Sequence, residues 1–184
     1  MEALAETHSE RALTAAEFLD EYEGAEGNLE LVDGKVVDMG RTTLAHGIMV
    51  GALMRAIYAR LAAGFLVVPA SVAVIPNEGT ARLPDLLVIP AEQDGKALHV
   101  DDPVLLAEVL SVSTTHVDFG AKTREYLGLA TLQHYLIIEQ DARSAWLWTR
   151  KEDGSWPEEP DLFDSSASIS LSALDISFPM SELR

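Results

Sequence analysis

The run Leu83-Pro84-Asp85-Leu86-Leu87-Val88-Ile89, followed by Val104-Leu105-Leu106-Ala107-Glu108-Val109-Leu110, decides how this chain is read. Both runs are aliphatic almost throughout, which is the pattern of strands covered on both faces, and such strands usually have helices packed against them. Each run nevertheless carries one acid, Asp85 and Glu108. An ionised carboxylate among Leu and Val must be paired, hydrogen-bonded or metal-bound, because otherwise its pKa shifts until it is neutral. If the two strands are neighbours, both acids can converge on one hard, oxygen-preferring cation, Mg2+ or Mn2+. Taken singly, each can equally lie at a strand end in water.

The flanking sequence supplies the rest of the architecture. Thr14-Ala15-Ala16-Glu17 is a capping box that predicts a helix over 15–22, ended by Gly24 and Gly27. Two alternating runs on either side of Asp33-Gly34 predict a β-hairpin, with Glu30 on its first strand between Leu29 and Leu31. Glu30 is there either the solvent-facing member of the strand or a third carboxylate for a metal. From His46 to Leu61 the residues Met49, Val50, Leu53, Met54, Ile57, Tyr58 and Leu61 recur at helical steps and predict one apolar face. His46, opening this helix, is a candidate general base or phosphate ligand, or simply a packed polar residue. Runs at 65–75, 83–89 and 103–110 are expected to form three strands of one sheet, 117–129 a helix, and 135–139, 145–149 and 167–171 further strands. The stretch Trp156–Pro160 reads as a surface loop. Ala145-Trp146-Leu147-Trp148 suits the core better than a dimer interface. The sum is a single α/β (α+β) domain over 14–184, built on a mixed sheet, behind an acidic tail at 1–13.

Asp118, Lys122 and Tyr126 follow at four-residue steps and share one helix face. A Lys beside two carboxylates can orient a water or offset charge developing on a phosphate. A surface Asp118–Lys122 ion pair accounts for the same spacing.

Composition narrows the chemistry. Among 184 residues there is no cysteine, which excludes disulfides, a thiol nucleophile and thiolate metal sites. The net charge of −17 sits mainly in the two ends, and no basic stripe is visible, which counts against casual binding of polyanions. No Gly-rich phosphate loop, HExxH or EF-hand pattern occurs. The N-terminal residues lack a signal-peptide pattern, and the most apolar stretch, 61–76, is short and broken by Pro69 and Ser71, so a cytoplasmic protein without a membrane span is expected.

Together, Leu29-Glu30-Leu31-Val32-Asp33-Gly34, then His46, Leu83-Pro84-Asp85, Glu108 to Ser111 with Ser113-Thr114, and Asp118, Lys122 and Tyr126 resemble the Uma-two family of restriction endonuclease-like proteins, from about Thr14 to the strand at 145–149. The resemblance implies the restriction endonuclease-like fold, a central mixed β-sheet flanked by helices with an N-terminal β-hairpin. It matches Asp85 and Glu108 to the two acids of the PD-(D/E)XK nuclease pattern as metal ligands, and Glu30 to a further family acid. The pattern's Lys position is occupied here by Leu110, and the resemblance implies that Lys122 supplies the ammonium instead. His46, Ser111, Asp118 and Tyr126 then support the ligands or position substrate. The implied activity is Mg2+ (or Mn2+)-dependent endonuclease or phosphodiesterase action on nucleic acid, and because many nucleases of this fold act as dimers, the resemblance implies a homodimer. The alternative is a non-catalytic, oligomeric binding or interaction protein of the same fold, or one relying on a protein partner to bring nucleic acid. The −17 charge favours it.

Overall fold

A computed structural model of the chain describes residues 11–70, 72–110 and 118–184. Helix α1 (Ala15–Glu21) starts as expected at a capping box, in which Thr14 Oγ1 accepts from the Glu17 N–H at 3.2 Å and the Glu17 carboxylate accepts from the Thr14 N–H at 2.9 Å. Strands β1 (Leu29–Val32) and β2 (Lys35–Asp38) form the anticipated hairpin. Its Asp33-Gly34 turn has φ of 49° and 77°, the left-handed pair that such a turn demands. Gly34 is also sterically fixed, since a Cβ there would stand 2.7 Å from the Cβ of Ala12.

Two of the expected strands are altered. The run at 65–75 is split into β3 (Phe65–Pro69) and β4 (Ala73–Asn77), and the run at 83–89 is shortened to β6 (Leu86–Pro90), with a further strand, β5 (Thr80–Arg82), ahead of it that the sequence reading did not expect. Pro69 and Pro84 fall at the breaks, where a residue without an N–H cannot continue a ladder. The pieces belong to different sheets, so the three runs do not share one. With β7 (His99–Val100) and β8 (Leu105–Leu110), then β9 (His134–Glu139), β10 (Ser144–Thr149) and β11 (Asp161–Asp164), the chain forms a five-stranded sheet ordered β2-β1-β5-β4-β7 and a six-stranded sheet ordered β11-β10-β9-β8-β6-β3. A small hairpin pairs β12 (Ser168–Leu171) with β13 (Ile176–Pro179). Asp85 consequently lies just ahead of β6 instead of within a strand, whereas Glu108 is inside β8.

The six-stranded sheet is covered on both faces, as the aliphatic runs require. On one face Leu86, Val88, Leu105, Ala107 and Val109 pack with helix α2 (Leu44–Tyr58) and with Ile169, Leu171 and Phe178 of the small hairpin. On the other, Leu87, Leu106, Tyr135, Ile137 and Trp148 meet Tyr126 of α3 (Thr123–Leu127). Trp148 is buried and Trp146 packs edge-on against Phe119, so both indoles serve the core. Tyr58 departs from its expected place on the buried face of α2 and is 68% exposed, because the helix ends there. Among the described residues no helix is long and apolar enough to cross a membrane.

His134, the first residue of β9, ties the small hairpin to the sheet. Its Nε2 accepts the Ala173 N–H at 3.1 Å, so the proton is on Nδ1, 3.2 Å from Thr149 Oγ1. Burial lowers its pKa to about 4. The unfolded chain takes up this proton near pH 6.5 and the folded one only near 4, so stability is full above 6.5 and is lost as pH falls between those values. Relative to a His134→Gln variant, the wild type should lose about 2–3 kcal/mol more between pH 7 and pH 4.5 in urea titrations. Equal losses in the two proteins would show that His134 does not titrate as its burial requires.

Candidate active site

The period of two along β8 decides which way Glu108 points. Leu105, Ala107 and Val109 face α2, and Glu108 therefore faces α3. Antiparallel pairing of β6 with β8, with Leu86 opposite Ala107, then brings the residue preceding β6 to the same end of the sheet. The two acids singled out in the sequence are neighbours in space for this reason.

Asp85 Oδ2 accepts the Val109 N–H at 2.8 Å and lies 3.0 Å from His46 Nε2. His46 is held by the start of α2, where the N-cap Thr43 accepts the His46 N–H through Oγ1 at 3.2 Å. Thr43 donates in turn to Gln140, and Gln140 donates to the carbonyl of Leu110, which fastens this helix end to the end of β8.

Deeper in the cleft, Glu108 Oε1 accepts from Lys122 Nζ at 2.8 Å and from the Tyr126 hydroxyl at 2.9 Å. Lys122 closes a π-helical turn (Asp118–Lys122) that runs directly into α3. Burial, then the charges of Glu108 and Glu30, push the Tyr126 phenol well above its ordinary pKa, so it remains a protonated donor. Glu30 lies 3.5 Å from the same ammonium. Its carboxylate also accepts the Leu83 N–H at 3.1 Å and an Arg82 Nη1–H at 2.9 Å. Arg82 completes the network with a two-pronged contact to Glu125, at 2.7 and 2.8 Å. Burial alone would lower the Arg82 pKa, and the bonds to Glu125 and Glu30 outweigh it and hold the guanidinium above its usual range.

Charge is unbalanced in this cluster. Side chains of Glu30, Arg82, Glu108 and Lys122 are 2–4% exposed, and those of Asp85 and Glu125 are 17% exposed. Four carboxylates, when ionised, face the two cations Arg82 and Lys122, with the His46 imidazole against Asp85, so acids outnumber permanent cations among these described side chains. A cavity of about 340 Å³ lined by Glu30, Arg41, His46, Asp85, Glu108 and Lys122 opens beside them and continues into a wider cleft, whose mouth carries Arg41 together with Glu26 and Asp38.

The structure thus brings these residues together at one cleft in two sets, His46 with Asp85, and Glu108 with Lys122, Tyr126 and Glu30. Ser111 lies outside the described residues, as does the side chain of Asp118. Among the described residues, no group of three or more His, Asp or Glu is placed to hold a metal ion. Arg82, Glu125, Thr43 and Gln140 escaped the sequence reading. Arg82 had a signal: a cation in the short run Thr80-Ala81-Arg82-Leu83 demands a buried partner by the same logic that singled out Asp85. Glu125 had none, because an acid on a short helix looks like solvated surface.

A protein-family model described as "Uma2: Putative restriction endonuclease" matches residues 15–181. Two uncharacterized proteins of Synechocystis sp. are similar to the chain. One is 26% identical over 151 residues, covering 79% of this chain and 85% of the relative. The other is 29% identical over 147 residues, covering 78% and 77%. The crystal structure described as "a putative nuclease belonging to DUF820" from Anabaena variabilis superposes with a TM-score of 0.72 at 15% identity, over 93% of this chain and 97% of that one. That likeness is one of fold, and it gives the mixed α+β arrangement a nuclease-fold counterpart.

Proposed function

The chain belongs to the Uma2 family, and from that premise we propose that it is a divalent-metal-dependent phosphodiesterase acting on nucleic acid. The observation that carries the reading is the meeting of Asp85, Glu108 and Lys122 at one cleft, where the described carboxylates outnumber Arg82 and Lys122. Asp85 and Glu108 would hold the ion. Two carboxylates are oxygen donors of the kind that suit Mg2+ or Mn2+. An ion held there would supply positive charge toward a scissile phosphate and would acidify a water molecule.

The chain's own groups have distinct tasks in this reading. Lys122 offers an ammonium to the charge that grows on the phosphate oxygens, from a buried position where solvent screens it little. Glu108 and the protonated Tyr126 fix where that ammonium points, and Glu30, anchored by Arg82, supports it from the far side. Here Glu30 acts as a positioning residue, since both of its oxygens are engaged. Asp85 is aimed by the Val109 N–H and by His46.

Calorimetric titration of Mn2+ at near-neutral pH should reveal one site in the wild type that is lost in both Asp85→Asn and Glu108→Gln. Cleavage of DNA or RNA oligonucleotides should require the ion and disappear in the same variants. A second reading, a non-catalytic binding protein of the same fold, is favoured by the acids Glu26 and Asp38 at the cleft mouth. It would displace the first if the folded wild type bound no ion and cut no oligonucleotide with Mg2+ or Mn2+ present.

A further inference from the structure

Helix α2 reads Leu44-Ala-His-Gly-Ile-Met-Val-Gly-Ala-Leu-Met-Arg-Ala-Ile-Tyr58 and contains no acid, in a chain whose net charge is −17. A helix at the surface of a domain ordinarily has one apolar stripe and a polar outer face, and one that is apolar all round is ordinarily covered all round. Met49, Leu53 and Ile57 supply the inner stripe and are buried in the core. Leu44, Ile48, Gly51, Arg55 and Tyr58 form a second stripe at alternating steps of four and three, the spacing of a helix-to-helix seam. Within it Leu44 is 81% exposed, Ile48 62% and Tyr58 68%.

We infer that this outer stripe of α2 is where a second copy of the chain docks, the two helices running antiparallel about a two-fold axis near Gly51. A two-fold there sets Leu44 of each copy against Tyr58 of the other and Ile48 against the aliphatic stem of Arg55. Large side chains thus meet at the ends, and Gly51 meets its counterpart at the crossing. A Cβ built on Gly51 touches nothing within 4 Å among the described residues, so packing within them does not require a glycine there. Glycine lowers the helix propensity of that position, and close approach of a second backbone accounts for the choice.

Charge selects the occupant. Two copies each carrying −17 repel over most of their surface, and α2 presents a face without acids on which they can approach. Arg55 is the sole charged residue of the stripe, and its guanidinium donates to the carbonyl of Glu182 in its own chain, which leaves its stem to the seam. A single arginine so engaged does not grip a polyanion. The three exposed side chains offer roughly 400 Å² per copy, and with their neighbours roughly 1,000 Å² in total, the lower end of what a specific interface buries. An interface of that size suits a reversible, concentration-dependent dimer.

Sedimentation equilibrium on the full chain tests this. The mass should rise with concentration from 20.0 kDa towards twice that value. Ile48→Glu and Tyr58→Glu, at positions already in water, should stay monomeric at concentrations at least tenfold higher, with unchanged circular dichroism. Leu162→Glu, equally exposed on the edge strand β11, should associate as the wild type does. A wild type that stays at 20.0 kDa at several hundred micromolar overturns the inference. So does a dimer that persists in Ile48→Glu, which would lie on another surface such as the uncharged edge strand β3.

Discussion

An Arg82→Met variant should lose about 3–5 kcal/mol of folding stability, the cost of stranding carboxylates that had a buried counter-charge. The guanidinium joins three parts of the chain that are distant in sequence: its own strand β5, Glu30 on β1 and Glu125 on α3. Met preserves most of the volume, so the loss reports charge rather than a cavity. The penalty should fall mainly on Glu30, which is 2% exposed, and less on Glu125, which at 17% can still reach water. A double variant, Arg82→Met with Glu30→Gln, should therefore recover part of the lost stability, because the stranded charge is gone. Arg82→Lys keeps a charge but cannot make the two-pronged contact, and should fall between the wild type and Met. Urea unfolding at neutral pH gives all four values. A loss below about 1 kcal/mol for Arg82→Met would reduce the network to a weak surface-like pair.

The second large effect concerns rate. Lys122→Met should lower the single-turnover cleavage rate by about 10²–10³-fold, the usual consequence of removing one charge or donor aimed at a transition state. Binding of Mn2+ should survive, because Glu108 loses a competing ammonium while both carboxylates remain. That separation of rate from ion binding distinguishes Lys122 from Asp85 and Glu108, whose neutral variants should lose both. Since Lys122 is itself buried in an ion pair, rates should be compared at a temperature where circular dichroism shows the variant folded. Tyr126→Phe retains the ring and removes only the donor to Glu108, so its rate should fall by about tenfold or less, as befits one hydrogen bond acting through another group. Retention of the wild-type rate by Lys122→Met, with Asp85→Asn inactive, would assign the ammonium a purely structural role.

Local signals carried a large part of this molecule. The capping box at Thr14 and Glu17, the Asp33-Gly34 hairpin and the inner stripe of α2 each depend on neighbours within a few residues, and each stands where its spacing implies. The acids in aliphatic surroundings, Asp85 and Glu108, pointed to the cleft because burial of a carboxylate is costly wherever the chain goes. Strand assignment was coarser. The prolines at 69 and 84 were visible, yet the sheet each resulting segment would join was not, because apolar content is equal for strands of either sheet.

What the sequence determined by itself is therefore the kind of its strongly patterned elements, α1, the β1–β2 hairpin and α2, the apolar face of that last helix, and the need of Asp85 and Glu108 for partners. These follow from periodicity and from the cost of desolvation, and both are properties of a residue and its near neighbours. What only the tertiary structure decided is who meets whom: Arg82 with Glu30 and Glu125, Lys122 with Glu108, His46 with Asp85, and the outer face of α2 with no cover among the described residues. A buried charge announces that it needs a partner but not which one, since any opposite charge along the chain satisfies the same electrostatics, and only sheet order and register choose among them.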